Sequence, residues 1–434
     1  MTHPPGPRNW LPGRNVRAMQ RDALGFLQRL HSEYGDAASF RMGPLRVYSF
    51  AHPDQVRDVL VNQGRAFLKG MVLQRTKIVL GEGLLTSEGE LHRRQRRLAQ
   101  PAFHRDRIQH YGEEMVTLAV RARERWRDGQ ELDAAHEMMR LTLAVVAKTL
   151  FDADVDDEAD EIGAALTDIM EMFPLLMNPF FTEWLRKLPI PRIRRFERAL
   201  KRLDRVIYQM IEERRRGGED RGDLLSMLLL AQDEEGSGGM TDLQVRDEAM
   251  TIFLAGHETT ANALAWTWYL LAQYPEVEAR LHRELDEVLR GRLPSPADYP
   301  RLPFTEMVFA EGMRLYPPAW GIGRFAQNDA QIGAWKVPKR SLVLVSQWVT
   351  HRDPRWWNEP ERFDPTRFAP ELKAARPKMA YFPFGGGTRI CIGEGFAWME
   401  GVLLIATLAR RWRLRLVPDH PVDLQPVITL RPKH

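Results

Sequence analysis

Residues 242–273, DLQVRDEAMTIFLAGHETTANALAWTWYLLAQ, place apolar side chains on most faces of the helix that their spacing predicts. Such a helix has to be buried, which demands a domain large enough to enclose it. The chain of 434 residues, 44% hydrophobic and 28% charged, has the material for that core. Apolar spacing near three and four recurs over residues 17–33, 52–63, 90–103, 107–127, 136–151, 158–173, 192–216, 275–290, 303–315 and 394–411. Strand signals are confined to two places. Residues 37–50, AASFRMGPLRVYSF, predict a hairpin turning at Gly43-Pro44, and residues 320–350 alternate around Gly333 and Pro338. The expected class is mainly α with a small β region, folded as one domain over residues 1–434. No internal repeat is visible, and EEGSGG at 234–239 reads as an exposed loop.

The opening MTHPPGPRNWLPGRN has no apolar run of signal-peptide length, and no later segment reaches the roughly eighteen apolar residues of a transmembrane helix. A cytoplasmic protein without a membrane anchor is expected. The formal charge of +4 is small for this size. Arginines cluster at Arg93, Arg94, Arg96, Arg97 and at Arg410, Arg411, Arg413, but no nucleic-acid motif accompanies them, so nucleic acid is not expected as a partner. The single cysteine, Cys391, forms no internal disulfide. It is a buried small hydrophobe, a nucleophile or a metal ligand.

Its surroundings favour the ligand. Residues 374–391 are irregular for longer than an idle connection usually is. Within them Phe384, Gly385, Gly387, Arg389, Cys391 and Gly393 spell F-G-x-G-x-R-x-C-x-G. Glycines let the backbone approach a flat ligand and turn N–H groups toward a thiolate. A helix starting near Gly393 points its positive end at the sulfur and lowers the thiol pKa. Arg389 has the reach for a two-pronged hydrogen bond to a carboxylate on the same ligand.

These residues resemble the cysteine loop of the cytochrome P450 family, haem-thiolate monooxygenases, in the soluble bacterial form, and the resemblance covers nearly the whole chain. It implies a fold with haem between a long central helix and the helix that follows the cysteine loop. Cys391 is then the axial ligand of haem b (iron protoporphyrin IX), with Phe384, Gly385 and Gly393 shaping the loop. In AGHETT, residues 255–260, Glu258 and Thr259 resemble the acid and alcohol that serve dioxygen and its proton supply, with Ala255 beside the haem. Alone, that stretch would read as a polar kink in which Thr bonds back into the helix. In EGMR, residues 311–314, Glu311 and Arg314 share a helix face, and the resemblance joins them to a second arginine that braces the loop. Arg367 in PTRF matches that place best, with Arg362 in PERF close by. His92 and Arg96, four apart in GELHRRQRRLAQPAF, together with Arg324 and Arg389, are assigned to haem propionates. Read without the resemblance, His92 is a solvated surface histidine.

The family's chemistry follows from sulfur, which favours O–O cleavage where imidazole favours reversible oxygen binding. The implied reaction consumes O2 and inserts one oxygen atom into a hydrophobic small molecule: a fatty acid, terpenoid, steroid or polyketide-like compound. Electrons from NAD(P)H are expected through a ferredoxin or flavodoxin with its reductase. The arginine clusters are solvated helix faces or a dock for that acidic carrier. A monomer is expected. Residues 170–193, broken by Pro174, Pro179, Pro189 and Pro191, resemble the lid over the access channel. Leu73, Phe253, Ala319, Trp320 and Ile322 are candidate pocket residues. A peroxide-using or isomerising relative, or a haem-based sensor, has less need of the Glu258–Thr259 pair.

Overall fold

The computed structural model describes residues 3–7, 13–154, 159–176, 190–218, 220–230 and 239–433. Residues 177–189 of the expected lid and 234–238 of the expected loop lie outside the described residues. The chain falls into two compact units, taken here in turn.

The first unit comprises Met1–Gln74, Ala310–Cys391 and Leu424–Arg431. Helices α1 (Arg14–Arg21) and α2 (Ala23–Tyr34) replace the single helix expected over 17–33. The break falls at Asp22, which leaves helical geometry to accept a hydrogen bond from the Gly25 N–H (2.8 Å) and so starts α2. A five-stranded sheet runs in the order β1-β2-β7-β4-β3. Its strands are β1 (Ala37–Met42), β2 (Leu45–Phe50), β3 (Phe67–Lys69), β4 (Ile322–Ala326) and β7 (Leu342–Val345), while β5 (Ala330–Ile332) and β6 (Trp335–Val337) pair separately. The β1–β2 register pairs Met42 with Leu45, so the hairpin turns at Gly43-Pro44 as expected, with Gly43 at φ +59°. β2 then pairs in parallel with β7, which, with β4 beside it, brings two strands of the 320–350 region into the same sheet. The three residues of β3 are too few to show alternation in the sequence.

Side chains alternate between the sheet's faces as pleating requires. Phe40 and Val47 pack with Leu27 and Leu30 of α2 on one side. Tyr48, Phe50, Val343, Val345, Phe67 and Phe382 form the core on the other.

The second unit comprises Arg75–Phe309, Ile392–Asp423 and Pro432–His434. Its helices include α3 (Gly89–Ala99), α4 (Arg105–Glu124), α5 (Ala134–Phe151), α6 (Ala159–Leu176), α7 (Pro191–Gly217), α8 (Asp242–Gln273) and α9 (Pro275–Leu289). α10 (Pro303–Leu315) continues into residues of the first unit, and α11 (Glu394–Ala409) follows Cys391. α8 is the axis of this unit. At 1.5 Å per residue it is about 48 Å long, and it packs most extensively on α5. A capping box starts it: the Gln244 N–H donates to Thr241 Oγ1 (3.2 Å) and the Thr241 N–H to Gln244 Oε1 (2.9 Å). Pro275 ends it by opening α9. α3 stops at Ala99, short of the expected 103, because Pro101 turns the chain into a single 3-10 turn. Among the described residues no helix is long and apolar enough to cross a membrane.

Candidate functional site

The cysteine loop of the first unit is closed by its own backbone. The Cys391 N–H donates to the Phe384 carbonyl (3.0 Å) and the Gly385 N–H to Phe382 (3.0 Å). Gly385 and Gly387 hold φ of +76° and +70°, and a Cβ at Gly387 would lie 2.1 Å from the Leu60 carbonyl oxygen. Only glycine fits there. The Cys391 thiol is exposed on this loop, two positions before the cap of α11. Arg389 donates through Nη1 to the Phe67 carbonyl (2.9 Å), and buried Arg324 faces Lys69 across the β3–β4 register. Both arginines are therefore held at the same short strand.

A buried ionic cluster braces the loop's approach. Arg314 donates twice to Glu311 (Nε to Oε2, 2.6 Å; Nη2 to Oε1, 2.8 Å), and both side chains are fully buried. Arg367 completes it, its Nε 3.3 Å from Glu311 Oε1, whereas Arg362 is exposed beside Glu359. The choice left open between the two arginines goes to Arg367. His351 is a member that the sequence did not reveal. Its carbonyl accepts from Arg314 Nη1 (2.8 Å), and its Nε2 accepts from the Phe382 N–H (3.0 Å) at the head of the loop. Burial, reinforced by the charges of Arg314 and Arg352, holds the ring neutral by pulling its pKa well below the usual range. Neutral imidazole is the form that accepts this bond.

In the second unit, α8 is buried along most of its length, yet Ala255 is exposed and Thr259 half-buried on one stripe, with Glu258 buried beside them. Thr259 Oγ1 donates back to the Ala255 carbonyl (2.7 Å), the local bond that its sequence allowed. The His257 ring N–H donates to Phe253 (3.0 Å), and Thr142 of α5 donates to the His257 carbonyl (2.9 Å). On α3, His92 is buried and shares its inward face with Gln95 and half-buried Arg96, while Arg93 and Arg97 point outward. His92 is no solvated surface residue.

Within each unit the chemistry of these groups suits haem. A cysteine sulfur is a soft donor that suits iron carried in a macrocycle. Guanidinium and imidazole N–H groups, present on Arg324 and Arg389 in the first unit and on Arg96 and His92 in the second, are of the kind that bind carboxylates such as those haem carries.

A family model described as Cytochrome P450 matches residues 4–434. The chain belongs to the cytochrome P450 family. It is 43% identical over 415 residues to cyclooctatin synthase of Streptomyces melanosporofaciens, covering 95% of this chain and 90% of that one. Cyclooctat-9-en-7-ol 5-monooxygenase of the same organism is 40% identical over 406 residues (93% and 88%), and pentalenene oxygenase of Streptomyces avermitilis 36% over 411 (94% and 90%). The protein is a haem-thiolate monooxygenase acting on a hydrophobic small molecule.

Two expected pocket residues of this P450 have visible packing duties. Trp320 packs against α2 and Leu430 and donates its indole N–H to the Val427 carbonyl (3.2 Å). Phe253 lies edge-on to Phe151 of α5, ring centres 5.8 Å apart. Ile322 lies on β4 against the sheet core, and Leu73 is half-buried in a short helix, Met71–Arg75.

Glu400 of α11 was not anticipated either. It is fully buried beside Thr260, and burial raises its pKa well above the usual carboxyl range. The native state thus holds this proton more tightly than the unfolded chain, so its contribution to stability falls as pH rises above the unfolded value of 4.5. Gln has no such proton to lose. Glu400→Gln is therefore expected to raise Tm more at pH 8 than at pH 5, and an identical shift at both pH values would refute the assignment of a neutral native carboxyl.

Proposed function

We propose that this P450 hydroxylates or epoxidises a cyclic terpenoid. The observation that carries the substrate class is likeness over nearly the whole chain to relatives named for oxygenating cyclooctat-9-en-7-ol and pentalenene. Exposed Ala255 and half-buried Thr259 open one stripe of the otherwise buried α8 to a ligand. The unbroken family match over residues 4–434 supports one working domain. We place the protein in the cytoplasm as a monomer, served from NAD(P)H by a ferredoxin or flavodoxin and its reductase. The exposed arginines Arg93, Arg97, Arg411 and Arg413 offer such a carrier a basic surface.

When bound, haem supplies the activation of O2 and the transfer of one oxygen atom. Cys391 ligates the iron through its thiolate. His92, Arg96, Arg324 and Arg389 bind the propionates, and Phe384, Gly385 and Gly393 hold the loop close to the macrocycle. Thr259, with its hydroxyl on the open stripe of α8, would hold a proton donor beside that stripe, and buried Glu258 would supply the proton. Glu311, Arg314 and Arg367 keep the loop in place.

A spin-state titration with cyclic terpenoids, steroids and fatty acids is expected to give a saturable shift with a terpenoid at the lowest concentration; tighter response to a fatty acid or steroid overturns the substrate class. With the responding compound, Thr259→Ala is expected to keep consuming reductant while product falls at least about tenfold. Coupled turnover at the wild-type level would remove Thr259 from the proton route.

A further inference from the structure

Three consecutive charged residues, Arg246, Asp247 and Glu248, are buried in the first half of α8, two turns or more before AGHETT. Buried charges are costly unless each is paired and hydrogen-bonded, so their partners reveal their use. Asp247 Oδ2 accepts from the Glu82 N–H (2.8 Å), and Glu248 Oε2 accepts from the Leu84 N–H (3.0 Å). Arg246 ties the same place from behind: Nη1 donates to the Val79 carbonyl (3.0 Å) and to Asp247 Oδ1 (2.9 Å), and Nε to Asp204 of α7 (2.7 Å). The turn 81–84 lies so close to α8 that two of its positions, Gly81 and Gly83, have no room for a side chain. A Cβ at Gly81 would lie 2.0 Å from the Asp247 carboxylate, and one at Gly83 2.1 Å from Thr251 Oγ1.

The other side of the turn is held as well. Gln95 of α3 donates its Nε2–H to the Glu82 carbonyl (2.7 Å), so Glu82 gives its N–H to α8 and its C=O to α3. Gln95 shares the inward face of α3 with His92 and Arg96. One peptide turn therefore joins the helix that bears Glu258 and Thr259 to the helix that bears the two propionate donors.

We propose that Asp247 and Glu248 are positioning residues: they pin turn 81–84 to α8, and through Gln95 that turn sets where α3 presents His92 and Arg96. The inference rests on the propionate roles given under Proposed function. A helix merely stabilised by its buried charges would need no connection to Gln95, and this difference is measurable.

Asp247→Asn, Glu248→Gln, Gln95→Leu and the double variant of Asp247→Asn with Gln95→Leu are made in the haem-loaded full chain. Amide exchange is followed over residues 80–99 against α5, and haem loss is followed by transfer to an excess of a haem-scavenging apoprotein. Each single variant is expected to raise exchange over 80–99 and to speed haem loss roughly tenfold, as removal of a group that orients ligand-binding residues does. The double variant is expected to be no worse than the more affected single one, because both break one chain of contacts. Gln95→Leu removes no charge, so it carries the test if Asp247→Asn fails to fold. Unchanged haem loss, effects that multiply in the double variant, or exchange rising equally in α5 overturns the proposal. Absence of the thiolate–carbon monoxide band from the wild-type protein would instead sink the haem assignment itself, leaving the two failures distinct.

Discussion

Replacing Cys391 by Ser is expected to abolish the red-shifted band of the reduced, carbon monoxide-bound protein and to reduce product formation to background, with the fold intact. Serine keeps the shape of the side chain but remains a neutral hydroxyl at neutral pH, whereas a cysteine sulfur can serve as the anionic ligand that iron needs. The loop does not depend on sulfur for its form. The Cys391 N–H to Phe384 carbonyl bond and the positive-φ glycines are backbone features, and the exposed thiol contributes little packing. The haem-free variant should therefore unfold within about 0.5 kcal/mol of the haem-free parent. Retention of the band in Cys391→Ser would show that another residue ligates the iron. A loss of several kcal/mol in the haem-free protein would give Cys391 a packing role instead.

The contrast between Cys391 and His351 shows where sequence is informative. The cysteine loop was legible because its chemistry is local: glycines, arginine, thiol and helix start follow one another within ten positions, and each needs its neighbour. α8 was legible to the residue because a capping threonine and a proline bracket a long apolar run. His351 lies thirty-one residues from Phe382, whose N–H it accepts, and no periodicity links the two. Glu82 and Asp247 are separated by 165 positions. Contacts of that range are made by tertiary packing, and a single sequence carries no mark of them. Local competition explains the smaller errors: α1 and α2 part because Asp22 bonds to the backbone of the next helix rather than continuing its own. Arg362 and Arg367 illustrate a third case. Both fit the spacing, and burial alone separates them.

That separation leads to the second large effect. Glu311→Ala is expected to destabilise the protein by about 3–5 kcal/mol, because it strands two buried guanidinium groups without their carboxylate. Glu311 also accepts from the Asp364 N–H (3.0 Å), so the loss frees backbone as well as charge. Arg367→Ala should cost less than Glu311→Ala, since it leaves Arg314 paired, but it releases the carbonyls of Asn358 and Glu359 that Arg367 holds. Arg362→Ala should stay within about 0.5 kcal/mol, as its ion pair with Glu359 is exposed. The damage should also travel. Arg314 holds the His351 carbonyl, and His351 holds the Phe382 N–H, so a displaced Arg314 loosens the head of the cysteine loop. Urea denaturation of the three variants, with amide exchange over residues 380–391, measures both parts. A cost below about 1 kcal/mol for Glu311→Ala, or equal costs for Arg362→Ala and Arg367→Ala, would deny the cluster its bracing role. Loss of stability with undisturbed exchange at 380–391 would confine that role to the cluster itself and break the connection to Cys391.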